Sequence, residues 1–338
     1  MIAAPEEVIS IRGLRMRFPG CEPLRGIDLS ISSGSVFALL GENGVGKTTL
    51  IRILTGFQKP TSGTCRVLGL DPAKDSLEIR RRVGYVSDSP AFYEWMTVIE
   101  IGLLAASFYP RGYIDRFREL LAGYDLPEGR KIKVLSKGQR AKVALSLAVA
   151  HDPQLLILDE PTSGLDPLVR REFLESMVDR ASAGRTVFLS SHQIAEVERV
   201  ADTIAILNDG NVRVYGELVE LKESINEVTV NVSDPLAAIP LLPSPATILS
   251  EEISGRQRRM VVRGFSDEMR QALEAYPGVS AVRTRPVSLE DLFVACTRGI
   301  AKERSSDRLG NIRAIDSSDS AEERFTTESG TQDGENRS

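Results

Sequence analysis

Gly41-Glu42-Asn43-Gly44-Val45-Gly46-Lys47-Thr48 is the stretch on which the reading of this chain turns. Before it runs Val36-Phe37-Ala38-Leu39-Leu40, unbroken in apolar character, which suits a strand buried on both faces. After it, residues 49–55 carry a helical pattern. A strand, a glycine-rich loop closed by Lys-Thr and a helix together make a cradle for anionic oxygens. The glycines allow backbone angles that turn N–H groups inward, and the helix N-terminus adds its dipole. Gly41, Asn43, Gly44 and Gly46 then belong to the cradle, and Lys47 reaches the β- and γ-phosphates of a nucleotide. Thr48 offers its hydroxyl to Mg²⁺, and Thr49 touches the α-phosphate. The plainer alternative is a glycine-rich turn with an exposed lysine, and the flanking strand and helix argue against it.

Working outward, the pattern predicts an α/β fold. Residues 8–11 and 27–31 alternate apolar with polar, as antiparallel strands do. Residues 155–158, 186–189 and 203–207 repeat the buried-strand signature. Residues 98–109, 114–124 and 137–150 are helical in pattern, a helical insertion spanning about 90–150. These elements assign 1–222 to one nucleotide-binding domain with an antiparallel β subdomain. From 223 the character changes to a small α+β unit, 223–298. In it, residues 247–253 and 259–263 flank Ser254-Gly255-Arg256 as a hairpin. Helices follow at 267–276 and 289–296, with a strand at 279–283 between them and a capping-box-like Ser288…Asp291 pair before the last. Residues 299–338 are poor in apolar and rich in Ser, Thr and acidic residues, and are expected to form a disordered tail.

Composition narrows the function classes. With 42 basic against 47 acidic residues among 338, the net charge is −5. That argues against nucleic acid or anionic lipid held by bulk charge. Much of the acidity falls in residues 300–338, which hold six basic and nine acidic residues, so the rest is close to neutral. No run reaches the roughly 18 apolar residues of a membrane span, and the first residues lack the basic end and apolar run of a secretory signal. Cys21, Cys65 and Cys296 are scattered, which suits buried or half-buried thiols rather than a zinc or disulfide framework. His151 and His192 are the only histidines, which excludes a histidine-rich metal centre. His151, before Asp152-Pro153 at a helix end, reads as a structural cation facing the helix dipole.

A second chemical feature is Leu155-Leu156-Ile157-Leu158-Asp159-Glu160, an apolar strand ending in two carboxylates. Mg²⁺ prefers carboxylate and water oxygens, so Asp159 is a candidate to hold it through water. Glu160, one residue on, is a candidate general base for an attacking water.

Four further stretches make the resemblance specific. Leu135-Ser136-Lys137-Gly138-Gln139 resembles the L-S-G-G-Q signature of ABC ATPases. Pro161-Thr162-Ser163-Gly164-Leu165-Asp166 resembles their D-loop, and Ser190-Ser191-His192 their switch histidine. Phe18 resembles the aromatic that stacks on adenine, and Val83-Gly84-Tyr85-Val86-Ser87-Asp88 falls where their Q-loop belongs. The resemblance spans residues 8–222 and implies the ABC-type P-loop NTPase fold. It implies a homodimer, or a pair with another ATPase, sandwiching two ATP molecules, with Ser136, Gly138 and Gln139 contacting nucleotide in trans and Asp166 communicating across the interface. It also implies that His192 senses the γ-phosphate. Two positions depart from the family pattern. Lys137 stands where glycine is commonest. Asp88 replaces glutamine and, as a carboxylate, accepts but does not donate; it is kept as a candidate metal ligand.

The chain is thus expected to be the ATP-hydrolysing subunit of an ABC transporter. It would sit peripherally on the cytoplasmic face of the membrane, with a polytopic permease on a separate polypeptide. The aromatic stretch Phe92, Tyr93, Trp95 and Met96 follows the Q-loop, where such a permease docks, and Trp, Tyr and Met favour interface cores. The alternative is packing of these side chains inside the helical insertion. The C-terminal unit resembles the extension of ATPases that serve export-type permeases. The competing class, a soluble ABC ATPase acting on the ribosome or DNA, calls for paired nucleotide domains, a long coiled coil or clustered cysteines, and none of these patterns is present.

Overall fold

Continuous apolar strands have to be covered on both faces, and the chain does this with a mostly parallel sheet flanked by helices. A computed structural model describes residues 7–109, 111–234, 240 and 242–297. The expected tail, 299–338, lies outside the described residues.

The chain enters as a long antiparallel hairpin, β1 (Glu7–Phe18) and β2 (Cys21–Ser32), and passes into β3 (Val36–Leu40). After the helix Lys47–Leu54, β4 (Ser62–Val67) returns to pair with β1, completing a three-stranded antiparallel sheet. The core strands β5 (Val83–Val86), β6 (Leu155–Asp159), β7 (Thr186–Ser191), β8 (Thr203–Asn208) and β9 (Asn211–Glu217) follow. With β3 they form a sheet of order β5-β6-β7-β3-β8-β9, parallel except for β9. Every residue of β3, β6 and β7 is buried, as their apolar runs require. These three neighbours end at one edge, so the loops after them meet there, the usual place for a ligand in an open parallel sheet.

Between β5 and β6 lie the helices Val98–Ala106, Tyr113–Gly123 and Lys137–Val149, each within a residue or so of the expected span except the first. It begins at a capping box formed by Thr97 and Glu100 and ends at Ala106, with 107–109 turning away. These helices share an apolar cluster built on Val98, Phe117, Leu121, Ile132 and Val143.

In the last part, β10 (Ile225–Val232), β11 (Thr247–Ser254), β12 (Gln257–Arg263) and β13 (Val279–Pro286) form an antiparallel sheet of order β11-β12-β10-β13. Residues 289–297 are helical and carry Leu289, Leu292 and Cys296 into one cluster with Ala38, Leu40, Ile206 and Val261. That helix is therefore the apolar seam between the two sheets, and Asn208 Nδ2 donates to Cys296 O at 2.9 Å to close it. Glu227, buried on β10, is gripped by Arg285 at 2.7 and 3.0 Å.

Two expectations are corrected. His151 is not a cation at a helix end: its ring stacks on Tyr109 with centroids 4.4 Å apart, and burial pushes its pKa down to about 4, so it is neutral at pH 7. Cys21 is exposed, whereas Cys65 and Cys296 are buried and burial raises their thiols to about 12.

Candidate functional site

The loop after β3 is shaped by its glycines. A Cβ on Gly41 would lie 2.7 Å from Val45 Cγ1 and 2.8 Å from Leu207 O. One on Gly46 would lie 2.6 Å from Pro23 O, and Gly46 also needs a φ of +119°. The backbone can therefore fold this tightly only with glycine at both positions. Gly46 is the N-cap of helix Lys47–Leu54 and offers no capping side chain, so the first N–H groups face the loop uncapped by a side chain. Lys47 turns back into the loop, buried, and donates from Nζ to Gly41 O at 2.7 Å.

The carboxylates arrive from the neighbouring strands. Parallel pairing sets Asp159 of β6 beside Ser190 of β7. Ser190 Oγ donates to Asp159 Oδ1 at 2.6 Å, and Asp159 is 2 % exposed. Burial of Tyr85 pushes its hydroxyl upward in pKa, and the Asp159 charge adds to the shift. Glu160 adopts a φ of +48°. Its Oε1 lies 3.0 Å from Lys47 Nζ and its Oε2 2.7 Å from His192 Nδ1. One carboxylate thus links the lysine of the phosphate loop to the histidine after β7.

Asn43, Gly44, Gly46, Lys47, Thr48 and Thr49 line one open pocket, and Asp88 and Glu160 join them from other loops. In this pocket the Thr48 hydroxyl and the exposed Asp88 carboxylate are oxygen donors of the kind Mg²⁺ takes, leaving positions for phosphate oxygens and water. Asp159 does not line the pocket. Phe18 ends β1, 41 % exposed, and does not line it either.

Ser136, Gly138, Gln139 and Asp166 are also not among the residues lining this pocket. Ser136 and Gln139 form a reciprocal capping box that starts the helix Lys137–Val149. A Cβ on Gly138 would meet Val169 Cγ1 at 3.3 Å. Asp166 caps the helix Pro167–Ser182, accepting from Leu168 and Val169 N–H. Lys137, exposed, lies over the D-loop: a Cβ on Gly164 would come 2.4 Å from its Nζ. Lys137 and Asp88 line one cleft between these loops.

The aromatic stretch divides. Tyr93 and Trp95 are exposed, with ring centroids 6.1 Å apart. Phe92 and Met96 are half-buried and pack on the helical cluster, so for these two the alternative of inward packing holds. Phe92 instead lines a largely apolar groove with Phe57, Tyr85, Ala105 and Tyr109, between the parallel sheet and the helices. Sequence reasoning missed Ser190 as the partner of Asp159; aligning the C-terminal ends of two adjacent buried strands would have found it.

The family model described as ABC transporter matches residues 24–163. A relative from Streptomyces peucetius, the daunorubicin/doxorubicin resistance ATP-binding protein, is 30% identical over 334 residues, 93% of this chain and all of that protein. A fluoroquinolones export ATP-binding protein of Mycobacterium tuberculosis is 34% identical over 64% of this chain and 73% of its own length. An uncharacterized ABC transporter ATP-binding protein from Nostoc is 40% identical over 60% of this chain, and the match spans only 62% of that relative. Among solved structures, the ATP-binding subunit of an ABC transporter matches with TM-score 0.60 at 31% identity, covering 64% of this chain and 92% of that one.

Proposed function

The chain belongs to the family of ABC transporter ATP-binding proteins, and on that premise we propose that it binds and hydrolyses ATP to drive export through a separate membrane permease. The observation that carries the reading is the chain of contacts Lys47–Glu160–His192 at the mouth of the phosphate loop.

The residues divide the work as follows. The loop N–H groups and Lys47 hold the β- and γ-phosphates, so that positioning and charge neutralisation lower the barrier to phosphoryl transfer. Glu160 orients an attacking water and takes up its proton, its carboxylate aimed by Lys47 on one side and His192 on the other. His192, half exposed beside Glu160, is placed to report on the γ-phosphate. Mg²⁺ would be held by Thr48 and Asp88, with Asp159 reaching it through water, and would neutralise the charge between the phosphates.

The lone chain leaves the signature residues Ser136, Gly138 and Gln139 outside its own phosphate pocket. A head-to-tail homodimer, in which each copy caps the other's pocket, accounts for that separation. For the permease, the apolar groove with the exposed Tyr93–Trp95 pair at the same segment supports a docking surface. Among the described residues no helix is long and apolar enough to cross a membrane, and the membrane-spanning part is assigned to the partner. Export is supported by the M. tuberculosis relative's name and by the S. peucetius match, which runs through the C-terminal sheet as well.

The test is Lys47→Ala. Magnesium-dependent ATP turnover by the purified chain should fall to background, a loss of about a hundredfold or more, and undiminished turnover would remove the phosphate site from the account.

A further inference from the structure

Beyond the pocket lining, one partly buried polar network ties together the segments that follow Glu160 and His192. Thr162, two residues beyond Glu160, is buried and donates its hydroxyl to Glu196 Oε2 at 2.5 Å. Glu196 is 5 % exposed and sits on the helix Ile194–Val200, which starts just after His192. Arg170, on the helix Pro167–Ser182, places Nε 3.1 Å from Glu196 Oε1. The same guanidinium donates to Gln193 Oε1 at 2.9 Å and to Leu165 O at 3.1 Å. One carboxylate and one guanidinium therefore touch the loop after Glu160, the helix that Asp166 caps and the residue next to His192.

Glu196 is buried while the Arg170 side chain is 30% exposed, and such a pair adds little net stability, because desolvation of the carboxylate offsets its attraction. Its specific consequence is geometry: a planar fork with fixed acceptors holds three segments in one register. Glu160 and His192 need such a hold. Their mutual contact of 2.7 Å is made by a histidine side chain that is 41% exposed, and Glu160 already stands in a left-handed backbone conformation. Thr162 fixes the far side of the Glu160 turn, and Gln193 fixes the residue after the histidine.

We propose that Glu196, clamped by Arg170 and Thr162, is a positioning residue for ATP hydrolysis that keeps Glu160 and His192 in register; this rests on the ATPase reading above. The network lies away from the phosphate loop, so it acts on turnover rather than on nucleotide affinity.

The experiment is steady-state MgATP hydrolysis by the full chain, with melting temperatures, for Thr162→Val, Thr162→Ser and Arg170→Lys. Thr162→Val removes the hydroxyl and keeps the shape; Thr162→Ser keeps the hydroxyl. Thr162→Val should lower kcat about tenfold or more while KM for ATP stays within about twofold, and Thr162→Ser should recover most of the rate. Should Thr162→Val not fold, Arg170→Lys decides, with the same split expected from loss of the fork. Full kcat in Thr162→Val, or an equal loss in Thr162→Ser, overturns the positioning role. If that happens while Lys47→Ala still abolishes turnover, the ATPase reading stands and only this inference falls. If Lys47→Ala leaves turnover intact, both fall.

Discussion

Glu160 shows how much of the site is set by single residues. Its φ of +48° is uncommon for a side chain with a Cβ, and here it turns the carboxylate back between Lys47 and His192. The types and spacing of Lys47, Thr48, Asp159, Glu160 and His192 were readable from the chain, because loop chemistry and strand ends announce themselves locally. The Ser190–Asp159 bond was not, since it depends on which strand lies beside which. His151 was rightly read as structural but wrongly as a cation, for a related reason: its helix-end position was visible, but the Tyr109 ring stacked on it comes from 42 residues earlier in the chain. Burial lowers its pKa from the ordinary 6.5 to about 4. The unfolded chain thus takes up the proton near 6.5 and the folded chain only near 4. The stabilisation is complete above about pH 6.5 and is lost as pH falls toward 4, at most about 2 kcal/mol after allowing for partial exposure. Thermal unfolding of His151→Phe should therefore lose less stability than wild type between these pH values; parallel curves would contradict a buried neutral imidazole.

At the scale of elements, the buried strands β3, β6 and β7 were the most legible, since each is a continuous apolar run. The hairpin β1–β2 was seen only in its regular parts. Bulges between Ile11 and Leu14 and between Met16 and Phe18 break the alternation, so a period-two reading stops early in strands of twelve residues. β5 and β9 were not predicted. β5 has four residues and β9 lies at the sheet edge with mixed burial, so neither carries a strong pattern. The aromatic segment illustrates the same limit: composition marked it, but only packing separates inward Phe92 and Met96 from outward Tyr93 and Trp95. Because Trp95 is 68 % exposed and contacts Tyr93 alone among described aromatic rings, Trp95→Ala should leave the isolated chain's ATP turnover within about twofold. In vesicles carrying chain and permease, the same variant should lose most coupled transport, as an exposed interface anchor does. Normal transport would move the docking surface elsewhere.

For the whole molecule, the decisive fact is a division of labour. The phosphate loop, Asp88 and Glu160 line one pocket, with His192 held against Glu160, while the signature at Ser136–Gln139 opens a different helix and lines none of it. The proposed homodimer, in which a second copy completes each site, should form when ATP is bound and not hydrolysed. The most direct measurement is analytical ultracentrifugation of Glu160→Gln with Mg²⁺ and ATP. The variant keeps the shape of the side chain and removes the general base. A stable dimer should appear with ATP, disappear with ADP and be abolished by adding Lys47→Ala. A species that stays monomeric at saturating ATP would contradict it.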